Sequence, residues 1–215
     1  MKNILIIGLG RFGKHLAEKF TELGDEVMVI DRHEEAVQEV MNTVAYAQVG
    51  DCMREDVLRS LGVNNFDICF VCTGESFQSS LEITDLLKTL GAKYVVSKAG
   101  RDIHAKFLLK NGADEVIYPE KDMALKTAVK FSSNHLVDYF EISKDVAVYE
   151  IHVPANWIGK TIIGLDVRGR YHMNILAVRD TDGNLDAQPL PTHTFADGER
   201  IIVLSDHENI KRFIK

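Results

Sequence analysis

Cysteine is scarce: Cys52, Cys69 and Cys72 are the three in a chain of 215 residues. So odd and sparse a set makes no disulfide framework and suits the reduced thiols of a cytosolic protein. Cys69 and Cys72 match C-x-x-C, but they sit in the apolar stretch at 67–72 that reads as a strand. A strand turns residues three apart to opposite faces, so two buried structural thiols are expected rather than a redox pair. Long apolar runs are also missing, and no stretch reaches the ~18 residues of a membrane-spanning helix. The opening Met1-Lys2-Asn3 leads into Ile4-Leu5-Ile6-Ile7 and then at once into glycine, too short an apolar stretch for a signal peptide, so a cytoplasmic location is expected. Basic charge is in deficit, with 25 Lys and Arg against 32 Asp and Glu and a formal net charge of −7. That balance argues against a nucleic-acid partner, whose phosphates call for a basic surface. There is no G-K-S/T after a glycine-rich loop, no H-E-x-x-H and no G-x-S-x-G, and the eight histidines show no metal-ligand spacing. Low-complexity linkers and solenoid repeats are absent as well.

What is present is ordinary globular material, 46% hydrophobic and 27% charged, in a length that allows one full domain with a smaller companion. Short β-rich runs at 3–7, 26–30, 45–49, 67–72, 94–97 and 115–118 alternate with helical patterns. Phe12, Leu16, Phe20 and Leu23 share one helix face, as do Ile83, Leu87 and Leu90. Gly24, Gly62, Gly91 and Gly112 stand where four helices would hand over to strands. The pattern predicts an α/β fold, a Rossmann-like doubly wound parallel sheet of six strands. After Pro119 the alternation ends, and a long connecting helix is expected from Asp122 to about Phe140. A small α+β carboxy-terminal domain follows, with strands at 146–153, 174–179 and 200–204, a helical 158–171 segment, a turn at Asp182-Gly183-Asn184 and a final helix at 207–215. The expected domains are 1–142 and 143–215.

The most informative motif is Gly8-Leu9-Gly10-Arg11-Phe12-Gly13, a G-x-G-x-x-G that follows a strand and opens a helix. Gly8 permits the tight turn, Gly10 lets a pyrophosphate approach the backbone, and Gly13 allows close packing of helix on sheet, with the helix N-terminus favouring the anion. Asp31 stands about twenty positions on, at the end of the second strand, where a carboxylate accepts ribose hydroxyls and repels a 2′-phosphate. Arg32 beside it reads equally as a phosphate partner or a solvated charge. Asp51, next to Cys52, reads equally as an acceptor for the adenine amino group or as the cap of a helix at 53–61. Thr73 and Gly74 follow the fourth strand, on the edge where doubly wound sheets bind ligands. Lys98 and Arg101 follow the fifth strand and Glu120 the sixth. They suit phosphate neutralisation and a divalent ion, or surface salt bridges and helix capping.

These residues, with Gly50-Asp51 and Tyr118-Pro119-Glu120-Lys121-Asp122 and the small domain behind them, resemble the regulator-of-potassium-conductance family over essentially the whole chain, and within it the single-copy Ktr-type regulatory subunits. The resemblance implies a homo-oligomer, dimers assembling to an octameric ring, at the inner face of the membrane beneath a membrane-embedded potassium-translocating subunit. It implies ATP and ADP, or NAD and NADH, in one cleft. Arg11 would reach the terminal phosphate, Glu120 would be the carboxylate for Mg2+ or another divalent ion, Asp31 and Arg32 would hold the ribose, and Asp51 with Cys52 would flank the adenine. A second site for cyclic di-AMP is implied in the small domain by Ile163, Asp166, Arg168, Asn174, Ile175 and Pro191, where an amphipathic helix in an ordinary dimer core is the alternative. On this reading the chain is not an enzyme. The competing reading is an NAD-dependent oxidoreductase, with His152, His172 and His193 as candidate bases. A third is a gating module for another cation.

Overall fold

The computed structural model describes residues 1–73, 76–133 and 135–214, and the chain divides after Lys121 into two compact units. The first alternates strand and helix: β1 (Asn3–Ile7), α1 (Arg11–Glu22), β2 (Glu26–Asp31), α2 (Glu34–Gln38), β3 (Tyr46–Val49), α3 (Glu55–Leu61), β4 (Ile68–Val71), α4 (Phe77–Thr89), β5 (Val95–Lys98), α5 (Asp102–Lys110) and β6 (Glu115–Ile117), before α6 (Pro119–Phe131) crosses the division. The six strands pair in parallel in the order β3-β2-β1-β4-β5-β6, the doubly wound arrangement expected from the sequence.

The central strand shows why the chain folds this way. Ile4, Leu5, Ile6 and Ile7 are each no more than 2% exposed, as a parallel strand covered on both faces requires. Ile4 and Ile6 join Phe12, Leu16 and Phe20 of α1 on one side, while Leu5 and Ile7 join Leu58 of α3 and Ile83 and Leu87 of α4 on the other. Each such side chain contributes ~1.5–3 kcal/mol by leaving water. Leu23, expected on the buried face of α1, instead lies just past the helix end and is exposed, because the chain turns away at Gly24. The four glycine stops all adopt the left-handed backbone that ends a helix. Cys52, Cys69 and Cys72 are free and buried, and burial pushes each thiol up to about 12.

The expected helix from Asp122 to about Phe140 is corrected. It starts at Pro119, a residue suited to a first helical turn, and ends at Phe131. Leu136–Glu141 is a strand, β7, antiparallel to β8 (Val146–His152). Leu136 and Phe140 have helical spacing, but the Val-Asp-Tyr-Phe run between and around them favours a strand, with Leu136 buried and Phe140 exposed. Because β7 pairs into the second sheet, the compact units divide after Lys121 and not after residue 142.

The second unit continues with α7 (Ile162–Leu165), α8 (Val167–Tyr171), β9 (Asn174–Arg179), β10 (Leu185–Asp186), β11 (Arg200–Asp206) and α9 (His207–Ile214). Its antiparallel sheet runs β10-β9-β11-β8-β7 over a core of Tyr149, Ile151, Trp157, Phe195, Ile201 and Val203, an α+β unit as expected. The segment expected as one helix at 158–171 is two short ones, broken where Asp166 takes a left-handed φ of 48°. Thr161 caps the first and Asp166 the second, so each has its own local hydrogen bond. Lys215, the last residue of the expected final helix, lies outside the described residues.

Candidate functional site

The strand order reverses between β1 and β4, and the crevice outside their carboxyl ends is where a doubly wound sheet takes ligands. The glycine turn lies there. Gly8 has φ +96° and donates its N–H to the Ile30 carbonyl (2.9 Å), and a Cβ on it would stand 2.9 Å from Thr73 Cγ2. A Cβ on Gly13 would stand 2.0 Å from the Gly8 carbonyl oxygen, so α1 packs directly on the turn. Gly10 is different in kind, for a Cβ there meets no atom within 4 Å. It precedes α1 with no side chain capping the helix and no acid in the first turn, leaving the first backbone N–H groups and the positive end of the dipole without a side-chain partner among the described residues.

Asp31 ties this turn to β2. Its Oδ2 accepts from the Leu9 N–H at 2.6 Å and its Oδ1 from the N–H and the ring of His33, each at 2.9 Å. Three of a carboxylate's roughly four acceptor positions are therefore in use. Partial burial pushes its pKa up, but the hydrogen bonds from Leu9 and His33 outweigh it and hold the carboxyl below its ordinary value. A depressed folded pKa adds stability above about pH 4 that is lost as pH falls through the folded value. Asp31→Asn is expected to lower stability by ~1–3 kcal/mol at neutral pH. Urea unfolding should show the gap to wild type closing below about pH 4. Sequence reasoning missed His33, whose signal is the Asp-x-His spacing of an Asx turn ahead of α2.

Arg11, Phe12, Lys98 and Glu120 are brought to one edge. The Lys98 ammonium contacts Glu120 at 2.6 Å and stands 5.8 Å from the centre of the Phe12 ring. Glu120 is held below its ordinary pKa, chiefly by the hydrogen bond from Lys98; partial burial opposes this, and its own backbone N–H and the Lys98 and Arg11 charges add smaller lowering effects. Arg32 is exposed and makes no ion pair among the described residues. Asp51 accepts from the Met53 N–H (3.0 Å) at the approach to α3, which begins at Glu55 with Arg54 in the capping position. Its neighbour Cys52 is turned into the core beside Leu58 and is 4% exposed. Thr73 Oγ1 is buried with no partner among the described residues. Gly74 lies outside them. Arg101 is set apart from the Lys98–Glu120 pair by its own contact, 5.5 Å over the Phe77 ring.

Among the described residues no three His, Cys, Asp or Glu side chains cluster for a metal ion. Glu120 is a single carboxylate, the donor set of an ion completed by phosphate oxygens and water rather than by protein.

In the second unit the Ile163 N–H donates to the Pro191 carbonyl (2.9 Å), and Arg168 Nε to Asn174 Oδ1 (2.6 Å). Asp166 accepts from the Gly169 N–H, and Ile175 packs against the core. A cavity of about 570 Å³ in this unit is lined by other residues, among them Asn156, Arg170, Tyr171, Arg212 and Phe213. A smaller one of about 290 Å³ lies among Asn3, Glu26 and Met28, where the parallel strands begin, away from the glycine turn. The turn lies in neither, since a crevice along a sheet edge is open by construction.

Comparison with known proteins agrees with this architecture. The TrkA-N domain matches residues 4–119 and the TrkA-C domain residues 146–215. Ktr system potassium uptake protein C of Bacillus subtilis (strain 168) is 37% identical over 214 residues, covering 100% of this chain and 96% of that protein. Ktr system potassium uptake protein A of the same organism is 33% identical over 212 residues, 99% and 95% respectively. Among solved structures, the GsuK channel bound to NAD superposes with a TM-score of 0.50 at 23% identity, covering 99% of this chain and 38% of that one. GsuK bound to ADP gives 0.53 at 15% identity, covering 62% and 36%. This chain thus spans well under half the length of those channel chains, and at such identities they speak for the fold alone. With both domains in order and Ktr relatives matched end to end, the chain belongs to the regulator-of-potassium-conductance family, among its Ktr-type TrkA-N/TrkA-C proteins.

Proposed function

We propose that the chain is a regulatory subunit that binds an adenine nucleotide at the carboxyl edge of its parallel sheet and gates a membrane-embedded potassium-translocating partner. The observation that carries the reading is the space at Gly10 in front of an uncapped α1, with Asp31 and Lys98–Glu120 on the same edge. The potassium uptake role in the names of the Ktr relatives supports it, and the GsuK channel, similar in fold, is known with NAD and with ADP bound. Self-association into a ring is part of the proposal. α6 leaves Met123, Leu125, Val129 and Phe131 exposed on one short helix, an apolar surface of the kind that subunits cover.

Gating then follows from differential affinity. A terminal phosphate brings negative charge that Arg11 and a divalent ion on Glu120 meet in one ring arrangement and not in another, so the triphosphate favours the first. For such an ion Glu120 is the protein ligand, and its contact with Lys98 is the one that must give. Moving a 1:99 balance to 99:1 takes ~5.5 kcal/mol of differential binding, within reach when several subunits contribute. Hydrolysis is not required. A second input by cyclic di-AMP belongs to the same proposal, supported by the pairing of Ile163 with Pro191 and of Arg168 with Asn174.

The test is calorimetric titration of the purified chain with ATP, ADP, NADH and cyclic di-AMP, with and without magnesium, with mass followed by light scattering. Micromolar binding of adenine nucleotides to a ring-sized particle is expected. Binding of NADH alone, by a small particle that oxidises it with a substrate, would bring the oxidoreductase reading forward. Arg11→Ala is expected to weaken ATP about tenfold and ADP or NAD much less, by loss of one charge-assisted contact. Equal losses for all three remove the terminal-phosphate role.

A further inference from the structure

A seam of buried polar groups joins α4, β5 and α5 beneath the carboxyl edge. Ser80, Thr84 and Ser97 are 0% exposed and His104 is 2% exposed. The directions of their hydrogen bonds are fixed by the groups at the ends. The Gly100 N–H donates to His104 Nδ1 (3.3 Å), so that nitrogen is bare and the proton of a neutral ring is on Nε2. Nε2–H then donates to Ser80 Oγ (2.7 Å), and the Ser80 hydroxyl passes its own proton to the Phe77 carbonyl (2.9 Å). Alongside, Thr84 donates to the Ser80 carbonyl (2.7 Å) and so accepts from Ser97 (2.8 Å). Every member is satisfied with the ring neutral.

The ring therefore stands between two loops. On one side it is bonded to Ser80 in the first turns of α4 and packed at a tilt of 48° against Phe77, its centre 4.8 Å from that ring's. On the other it grips the amide of Gly100, whose carbonyl oxygen accepts from the Tyr118 hydroxyl, so the loop after β5 is held by its N–H and its C=O alike. Lys98 begins that loop and Arg101 ends it.

We propose that His104 is a positioning residue whose neutral ring fixes the loop after β5 against α4, and that protonating it frees this loop and weakens nucleotide binding at the carboxyl edge. The second half rests on the nucleotide reading above. An imidazolium would turn an N–H toward the N–H of Gly100, two donors face to face, inside a seam where no carboxylate among the described residues receives the charge. Of the charged groups on the surrounding elements, Arg101 acts on the ring unfavourably, while Asp102 at the head of α5 is engaged by Lys121 at 2.6 Å. Burial first, and then the Arg101 charge, hold the imidazole below its ordinary pKa. A histidine with a lowered folded pKa supports the closed arrangement fully above about pH 6.5, and that support is lost as pH falls below it.

Two measurements on the full-length chain test this. Nitrogen-15 NMR of the imidazoles should show His104 as the Nε2–H tautomer, still neutral where exposed histidines are half protonated. An Nδ1–H tautomer, or titration at or above about pH 6.5, overturns the proposal. The second is NAD binding at about pH 7.5 and at the lower pH at which that NMR titration shows His104 protonated, NAD being chosen because its pyrophosphate does not titrate between them. Wild type should bind about fivefold more weakly at the lower pH, the worth of one hydrogen bond. His104→Asn keeps an acceptor for Gly100 but cannot be protonated, and should remove most of that dependence. A wild-type affinity indifferent to pH overturns the link to the site. Absence of NAD binding at either pH overturns the nucleotide reading itself, and the NMR result separates that failure from a failure of the seam.

Discussion

Gly10→Asp should leave the fold intact and lower nucleotide affinity by about a thousandfold. The position is already extended, with φ −65° and ψ 179°, a backbone any residue adopts, and an added Cβ touches nothing. Aspartate is also among the best residues to precede a helix, so α1 gains the cap it lacks, an effect of ~0.5–2 kcal/mol. The same carboxylate would occupy the place a pyrophosphate must take. Two like charges about 4 Å apart at a protein surface repel by ~4 kcal/mol, which is the thousandfold loss. Calorimetry with ATP and NAD beside a thermal melt separates the outcomes. Undiminished affinity moves the site elsewhere, and a fall in melting temperature shows that the turn has less room than its geometry gives it.

Gly13→Ala should do the reverse, weakening the fold itself. The new methyl would stand 2.0 Å from the Gly8 carbonyl oxygen, with Cys72 Cβ 3.4 Å away, so the nearest atoms belong to the backbone of the turn and to a core strand end. No rotamer relieves a backbone clash, and α1 would have to lift from β1 and strip contacts from Phe12, Leu16 and Phe20. Overpacking of this kind costs about 3 kcal/mol or more. Urea denaturation measures it directly, and a loss under about 1 kcal/mol would mean that α1 slides freely on the sheet.

The contrast between these two glycines bears on what the sequence could disclose. The turn, the strand before it and the helix after it are encoded within a dozen consecutive residues, and local signals of that kind read well. The glycines closing four helices read well for the same reason. Leu136 and Phe140 did not, because a spacing of four fits a helix face as readily as two positions on one face of a strand, and only pairing with Val146–His152 decides between them. Asp31 was legible as an acid at the end of β2, but its hold on Leu9, 22 positions away, was not. Cys52 was legible as a neighbour of Asp51, while the direction of its side chain depends on where α3 sets down. The seam of Ser80, Thr84, Ser97 and His104 left no trace at all. Its partners come from separate elements up to 24 positions apart, and each residue alone reads as an ordinary surface polar group.

The three buried cysteines give this protein a clock. With burial pushing the thiols up to about 12, only ~1 in 10⁵ is thiolate at neutral pH in the closed molecule, where reagent is also shut out. Alkylation therefore counts openings of the sheet. Cys72 lies at the end of β4 beside the glycine turn, and Cys69 sits three residues earlier on the opposite face of the sheet, in the core under α3 and α4. If their labelling rates fall together when a nucleotide is added, the ligand steadies the whole sheet. If Cys72 alone slows, the carboxyl edge breathes by itself, and the difference between the two rates measures how often that edge opens on its own.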